Sequence, residues 1–301
     1  MHVAITGGYG LVGRALQQQL RQAGHTVSII TRHPRSEQDI PWNPEESFLP
    51  IERLASVEVV FHLAGENIAS GRWNAATQAR IRDSRVRGTQ LISSTVAQLG
   101  SAPALICASA IGYYGDRGDA WLDEAAGPGE GFLADVCRQW EQAAEPARLA
   151  GLRVVHMRIG VVLAIEGGAL AKMLLPFRLG LGGRIGSGRQ YWSWIELSDL
   201  AAMMVFVMEH AELSGPVNAV APQPVTNQEF TRTLARVLRR PAFLPMPAWA
   251  ARLALGKMAD ELLLASTRVS PAKIRAAGYA FRFEQLEPAL RHVLGRPAPA
   301  E

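Results

Sequence analysis

Short apolar runs alternate along the chain with stretches in which apolar residues recur every three or four positions. His2 to Thr6 is the first run, and it ends in Gly7-Gly8-Tyr9-Gly10-Leu11-Val12-Gly13. Beyond the glycines, Ala15, Leu16, Leu20 and Ala23 recur at helical spacing up to Gly24, so the reading is strand, glycine turn, helix. Thr26 to Thr31 is a second strand and completes a β-α-β unit of the length that a parallel crossover requires. Val57 to Leu63, Ala104 to Ser109 and Arg153 to Leu163 read as further buried strands, with amphipathic helices from Asn74 to Leu99 and from Phe132 to Ala150 between them. Such alternation predicts a doubly wound parallel sheet. After position 164 the pattern changes. The glycine-rich stretch Gly180 to Gly188 and Tyr191-Trp192-Ser193-Trp194 read as a loop over a cleft, and a helix from Leu197 to His210 is started by Ser198 or Asp199. Prolines 222, 224, 241, 245 and 247 then punctuate a mostly helical C-terminal third, and the final Arg-Pro-Ala-Pro-Ala-Glu is expected to fray.

Composition narrows the class. With 301 residues, 48% hydrophobic and 19% charged, the chain is globular and long enough for a substantial core. The net charge is +4, yet of 31 basic residues only Lys172, Lys257 and Lys273 are lysines. The densest basic run, Arg80, Arg82, Arg85 and Arg87, is spread around a helix by its 100° steps and makes no nucleic-acid stripe. Cys107 and Cys137 are too few for a disulfide framework, and the seven histidines show no metal-ligand spacing, so no metal is expected. The N-terminus runs straight into a strand pattern, and no uncharged apolar stretch is long enough to span a bilayer. The reading is a cytoplasmic protein with no membrane or nucleic-acid partner.

A strand feeding Gly7-x-x-Gly10-x-x-Gly13 into a helix has a physical purpose. The first glycine allows the tight turn, the second lets a pyrophosphate approach the backbone, and the third lets helix meet strand, while the helix N-terminus supplies positive potential. The expected architecture is a Rossmann-like sheet binding a dinucleotide over residues 1–165, to which 192–220 returns, with a smaller, mostly helical substrate lobe of 166–191 and 221–301. At the end of the second strand, where an NAD site places a carboxylate for the ribose hydroxyls, stand Thr31 and Arg32, with Arg35 nearby. A guanidinium matches a 2′-phosphate, so NADP(H) is expected over NAD(H).

These residues resemble the extended branch of the short-chain dehydrogenase/reductase superfamily over most of the chain. Gly7 to Gly13, with Tyr9, Leu11 and Val12, resembles its fingerprint; His62-Leu63-Ala64-Gly65 resembles the segment along the cofactor; Ser109 to Gly115 resembles its catalytic-serine strand end. Trp194-Ile195-Glu196-Leu197-Ser198-Asp199 resembles its late motif. Within that branch, Ala64 to Ile68 with Arg72-Trp73, Trp140-Glu141, and Leu174 to Gly183 resemble the SDR39U-like "epimerase family protein" group, whose C-terminal domain of unknown function would start near Thr226. The resemblance implies that Thr31 and Arg32 hold the adenosine phosphate end, that Leu63 and Ala64 line the ribose and nicotinamide path, that Arg85 faces the cofactor, and that Val162 passes the nicotinamide. Dimerisation is also what it implies.

The superfamily's Tyr-x-x-x-Lys signature has no counterpart here. No lysine precedes Lys172, and aligning on Glu141 puts Leu133 and Cys137 at those places. Tyr113 or Tyr114, beside Ser109, is then the nearest proton donor, Cys137 is a second candidate, and Glu66 serves as a base if it is buried. Asn67, Arg72, Trp192 and Trp194, with Arg184 for an anionic group, are the candidate substrate residues. Two function classes follow: an NADP(H)-dependent oxidoreductase or epimerase acting on a small polar carbonyl or hydroxyl compound, or a catalytically silent NADP(H) sensor.

Overall fold

The computed structural model describes residues 1–69, 71–101 and 103–297. The tail expected to fray therefore lies, for its last four residues, outside the described residues. Seven strands form the central sheet: β1 (His2–Thr6), β2 (Thr26–Thr31), β3 (Ile40–Pro41), β4 (Val59–His62), β5 (Ala104–Ala110), β6 (Val154–Ile159) and β7 (Gly215–Ala219). Their spatial order, β3-β2-β1-β4-β5-β6-β7, reverses direction between β1 and β4. The order places the C-terminal ends of β1 and β4 at a topological switch point, where doubly wound sheets bind ligands. The pairs β1–β2, β1–β4, β4–β5 and β2–β3 are parallel, with Val3 beside Val27 and Val59, and His62 beside Thr6 and Cys107. β4 is buried along its whole length, as a parallel strand covered on both faces must be.

Helix α1 (Leu11–Gln22) buries Gly13, Leu16 and Leu20, spaced to form one stripe against the sheet. Asn74 caps α2 (Ala75–Val96), its Oδ1 accepting the Thr77 amide at 2.8 Å. The long helix expected to Ala150 is two helices, α3 (Phe132–Gln142) and α4 (Glu145–Leu149). Pro146 explains the break: it stands in the first turn of α4, where its missing amide costs nothing. The strand expected to Leu163 is likewise cut at Gly160. A Cβ there would lie 2.6 Å from the Ser193 carbonyl oxygen, and beyond it Val161–Leu163 pairs in parallel with Trp194–Glu196.

The chain divides into two compact units, one of residues 1–109, 136–158 and 201–217, the other of 110–135, 159–200 and 218–301. Segments 110–135 and 159–165 group with the C-terminal residues, whereas the sequence pattern draws its line at 165. In the second unit, Leu170, Leu174 and Phe177 of α5 (Gly168–Arg178) pack with Trp192, Trp194, Phe230 and Leu234. α6 (Leu197–Glu209) is not started by Ser198 or Asp199. Glu196, just upstream, takes both of their amides on Oε2, at 2.7 and 3.0 Å. Asp199 instead accepts the Arg282 and Phe283 amides at 3.0 and 2.8 Å, and it is buried because it has those donors. α7 (Asn227–Leu238) opens with a reciprocal cap between Thr226 and Glu229.

Candidate functional site

A cavity of about 760 Å³ opens at the switch point of the first unit. Its floor is the glycine turn. Gly7 holds φ +68°, and a Cβ there would lie 2.9 Å from the Leu63 carbonyl and the Ala64 amide, so β1 and β4 approach more closely than any side chain allows. A Cβ on Gly13 would stand 2.3 Å from the Gly7 oxygen. Gly10 caps α1 without a side chain, and its only crowding is the Gly7 oxygen at 3.1 Å. No side chain caps the first turn of α1, so its amides are left for a ligand. Backbone donors over a side-chain-free cradle are the chemistry that a diphosphate requires, and on that observation the residues fit a dinucleotide.

Thr6 organises the neighbouring strand end. Its Oγ1 accepts the Leu63 and Ala64 amides at 3.0 and 3.1 Å, and its own proton goes to His62 Nδ1 at 2.8 Å. That sets the His62 tautomer: Nε2 carries the hydrogen, in a fully buried place with no partner among the described residues, edge-on to Trp42. Burial pushes His62 down to about 3. An unfolded histidine titrates near 6.5, so the unfolded chain takes up this proton first. Stability is full above about pH 6.5 and falls as pH drops toward 3. Between pH 7 and pH 5 the loss is about 2 kcal/mol. Urea unfolding at the two pH values should show a loss smaller by that amount in His62→Gln than in the wild type, the contribution of the buried His156, which burial also lowers, being common to both.

The rim at the end of β2 carries Thr31, Arg32, His33 and Arg35. Arg32 is exposed, and the Arg35 guanidinium lies 3.8 Å over the Tyr9 ring. A carboxylate does stand close by in space, Asp39, which the sequence pattern did not single out. Its Oδ2 is already engaged, accepting the Tyr9 hydroxyl and the Arg35 amide, both at 2.7 Å. Burial alone would raise Asp39, but these donors with those of Ser36 hold it below the ordinary carboxylate value. Asp39 is thus a structural anion that shapes the 31–39 turn, and no signal in local spacing marks it.

Glu66, half-buried, forms an ion pair with Arg80 at 3.0 Å, while its amide donates to Ser84. Beneath Gly65 lies Arg85. A Cβ on Gly65 would sit 3.3 Å from its Cζ, its Nη1 donates to the Ile81 carbonyl at 3.0 Å, and the guanidinium lies 5.0 Å over Trp140. Burial pulls Arg85 below the usual arginine value, opposed by the charges of Cys137 and Glu66. Cys137 is itself buried on α3. Asn67 and Arg72 are exposed, Asn67 accepting the Ala69 amide on Oδ1.

Ser109, at the end of β5, donates its hydroxyl to Glu141 Oε1 at 2.7 Å. Arg158 grips the same carboxylate from Nε and Nη2, both at 2.9 Å, and the pair is nearly closed to solvent. Because the Ser109 proton is spent on Glu141, the hydroxyl turns only lone pairs toward anything else. Neither partner is visible from local pattern, since 32 and 17 residues separate Glu141 from them.

The other expected residues belong to the second unit. Tyr113 and Tyr114 stack edge-to-face at 5.4 Å, with Tyr114 fully buried and its hydroxyl donated to Asn218 Oδ1 at 2.7 Å. Val162 lies in the strand paired with Ile195. Trp192 and Trp194 are buried in that unit's core, with Trp194 Nε1 donating to the Gln223 carbonyl, and Arg184 is exposed and ties its own loop through the Gly186 and Ser187 carbonyls.

Residues 3–220 match the model of the NAD dependent epimerase/dehydratase family. The chain belongs to that family. Its residues 246–293 match a domain of unknown function (DUF1731), which begins later than Thr226. Among its relatives is the epimerase family protein Mb2239 of Mycobacterium bovis, 45% identical over 98% of both chains. Another is the Bacillus subtilis epimerase family protein YfhF, 36% identical over 98% of both. The human epimerase family protein SDR39U1, crystallised with NADPH, superposes with a TM-score of 0.87 at 34% identity, covering 98% of this chain and 99% of that one. Family membership accounts for the seven-strand Rossmann-like sheet and for the glycine cradle at its switch point.

Proposed function

We propose that this epimerase-family chain binds NADP(H) and uses it for oxidoreduction or epimerisation of a small polar carbonyl or hydroxyl compound, without a tyrosine–lysine dyad. The observation that carries the reading is the cradle: three glycines, uncapped α1 amides and a cationic rim beside which Asp39 is spent on Tyr9 and Arg35. In this assignment Gly7, Gly10 and Gly13, with the Leu11 and Val12 amides, take the pyrophosphate. Thr31, Arg32 and Arg35 take the 2′-phosphate, and Tyr9 supports Arg35 by lying under its guanidinium. Leu63, Ala64, Gly65, Arg85 and Val162 serve the ribose and nicotinamide. The human relative's NADPH supports the cofactor. The cofactor supplies the hydride.

Ser109 then acts as an acceptor, positioned by Glu141, for a hydroxyl of the substrate, and Tyr113 is the residue left to move a proton. Asn67, Arg72 and Arg184 are the polar groups assigned to the substrate. Arg32→Asp should weaken NADPH binding by about 100-fold while changing NADH little, the effect of replacing a charge-assisted contact with a repulsion. Titration of cofactor fluorescence reads this directly, and unchanged NADPH affinity would remove the assignment.

One observation favours a second reading, a catalytically silent sensor of the cofactor's redox state. The places of the usual dyad hold Leu133 and a buried Cys137, and the Tyr114 hydroxyl is committed inside a core. Transfer of label from deuterated NADPH to any of a panel of carbonyl compounds decides for the enzyme. Absence of transfer, with a partner that distinguishes NADPH from NADP+ forms, decides for the sensor.

A further inference from the structure

Among the described residues, thirteen large hydrophobics are exposed, and nine of them fall in two segments of the second unit, residues 165–190 and 239–260. The segments lie side by side. Gly186 donates its amide to the Met246 carbonyl at 2.9 Å, Met246 donates to Arg184 at 2.8 Å, and Leu244 donates to Gly182 at 3.2 Å. On α5, Leu174 and Phe177 point into the core, which leaves Leu175 and then Leu179 outward, 66% and 64% exposed. On the helix Ala248–Leu255, Ala251 is buried while Trp249 and Leu253, one turn apart, are 67% and 71% exposed. Phe243 stands out on the proline-rich turn between, at 73%. A cluster of this kind is more than the scattered exposed leucine that any soluble surface carries.

Charge says what covers it. The same two segments hold eight Arg and Lys side chains against Glu166 and Asp260 alone, a net +6, whereas the whole chain nets only +4. Arg178 and Arg252 stand on the very helices that present the leucines and the tryptophan, and both are exposed. A second copy of this surface would meet the first with like charge. A protein-interface core is depleted of charge and seats its anchors in packed pockets, whereas these side chains project. Projecting Trp, Phe and Leu with cationic neighbours match the boundary of an anionic bilayer, where apolar tips enter below the headgroups and guanidiniums pair with phosphates.

We propose that this face of the second unit, which includes the start of the domain of unknown function, docks the protein on an anionic membrane surface. Among the described residues no helix is long and apolar enough to cross a membrane, and the docking requires none. It also goes beyond the cofactor chemistry, because none of these side chains lines the dinucleotide cavity.

The test is co-sedimentation of the full chain with vesicles of phosphatidylcholine alone, or of phosphatidylcholine with about one-third phosphatidylglycerol. Binding is expected only to the anionic vesicles and is expected to weaken as salt rises. The variant Phe243→Ser, Trp249→Ser, Leu253→Ser should lose it by tenfold or more, as should Arg178→Glu with Arg252→Glu, with NADPH affinity and melting temperature unchanged. Three results would each overturn the proposal. One is failure of the wild type to bind anionic vesicles even at low salt. Another is equal binding to both vesicle types. The last is sedimentation velocity showing the chain to be an oligomer that the serine variant dissociates. Because NADPH titration is read on the same samples, failure here is distinguishable from failure of the cofactor assignment.

Discussion

Gly13→Ala should all but eliminate dinucleotide binding and destabilise the fold by about 3 kcal/mol or more, near the upper end of overpacking effects. The added methyl would stand 2.3 Å from the Gly7 oxygen, 2.7 Å from the Gly8 Cα and 2.8 Å from the Gly8 oxygen. All three are backbone atoms, so no rotamer change relieves the contact, and the turn must move away from α1. Since the same turn offers the cradle, stability and binding fail together. Gly10→Ala separates them. Its methyl meets only the Gly7 oxygen, at 3.1 Å, and Gly10 is exposed. It should therefore melt close to the wild type, yet weaken NADPH by more than tenfold by standing where the diphosphate must approach. Thermal melts and fluorescence titrations of the two variants are the check. A Gly13→Ala protein that binds NADPH normally would show that the turn is not the phosphate site.

Arg158→Met should be the other severe change, costing about 3 kcal/mol, because it leaves the Glu141 carboxylate nearly closed to solvent and without its two charged hydrogen bonds. Among the described residues, only the Ser109 hydroxyl would remain on that carboxylate. The carboxylate has little access to water: the Glu141 side chain is 13% exposed and that of Arg158 only 4%. Removing both charges at once, as Glu141→Leu with Arg158→Met, should restore much of the stability, since a buried pair traded for apolar groups of similar volume is often close to neutral. Urea midpoints for the single and double variants give the coupling. The double variant also tests the role assigned to Ser109. Freed from Glu141, its hydroxyl can donate as well as accept, so stability should recover while turnover, once a substrate is in hand, should not.

The domain of unknown function acquires a physical description from these arguments. Tyr279 and the Arg282 and Phe283 amides, within it, all converge on Asp199, whose burial they make tolerable. Desolvation beside Asp199 holds Tyr279 far above the ordinary tyrosine value, so its hydroxyl stays a donor at any pH the protein meets. Glu261 binds the Phe132 and Leu133 amides at 2.8 and 2.6 Å, satisfying the N-terminus of α3 from a position 128 or more residues downstream. The domain is thus tied to the rest of the second unit through hydrogen bonds to a buried carboxylate and from the terminal amides of a helix.

Sequence by itself determined the β-α-β opening and the glycine cradle, because each is written in local spacing, and its motifs carried the resemblance to the family. Short apolar runs placed β1 and β2 to the residue, helical spacing placed α1 and α2 to within a few residues, and the three glycines stand where only a missing Cβ lets backbone meet backbone. What the sequence could not determine is where chain segments far apart end up together. Only tertiary structure put Asp39 against Tyr9, gave Glu141 to Ser109 and Arg158, and enclosed Trp194 in a core instead of leaving it over a cleft. Those outcomes depend on which polar group finds a donor when both are stripped of water. Local periodicity records that a side chain will be buried, and the fold alone decides beside what.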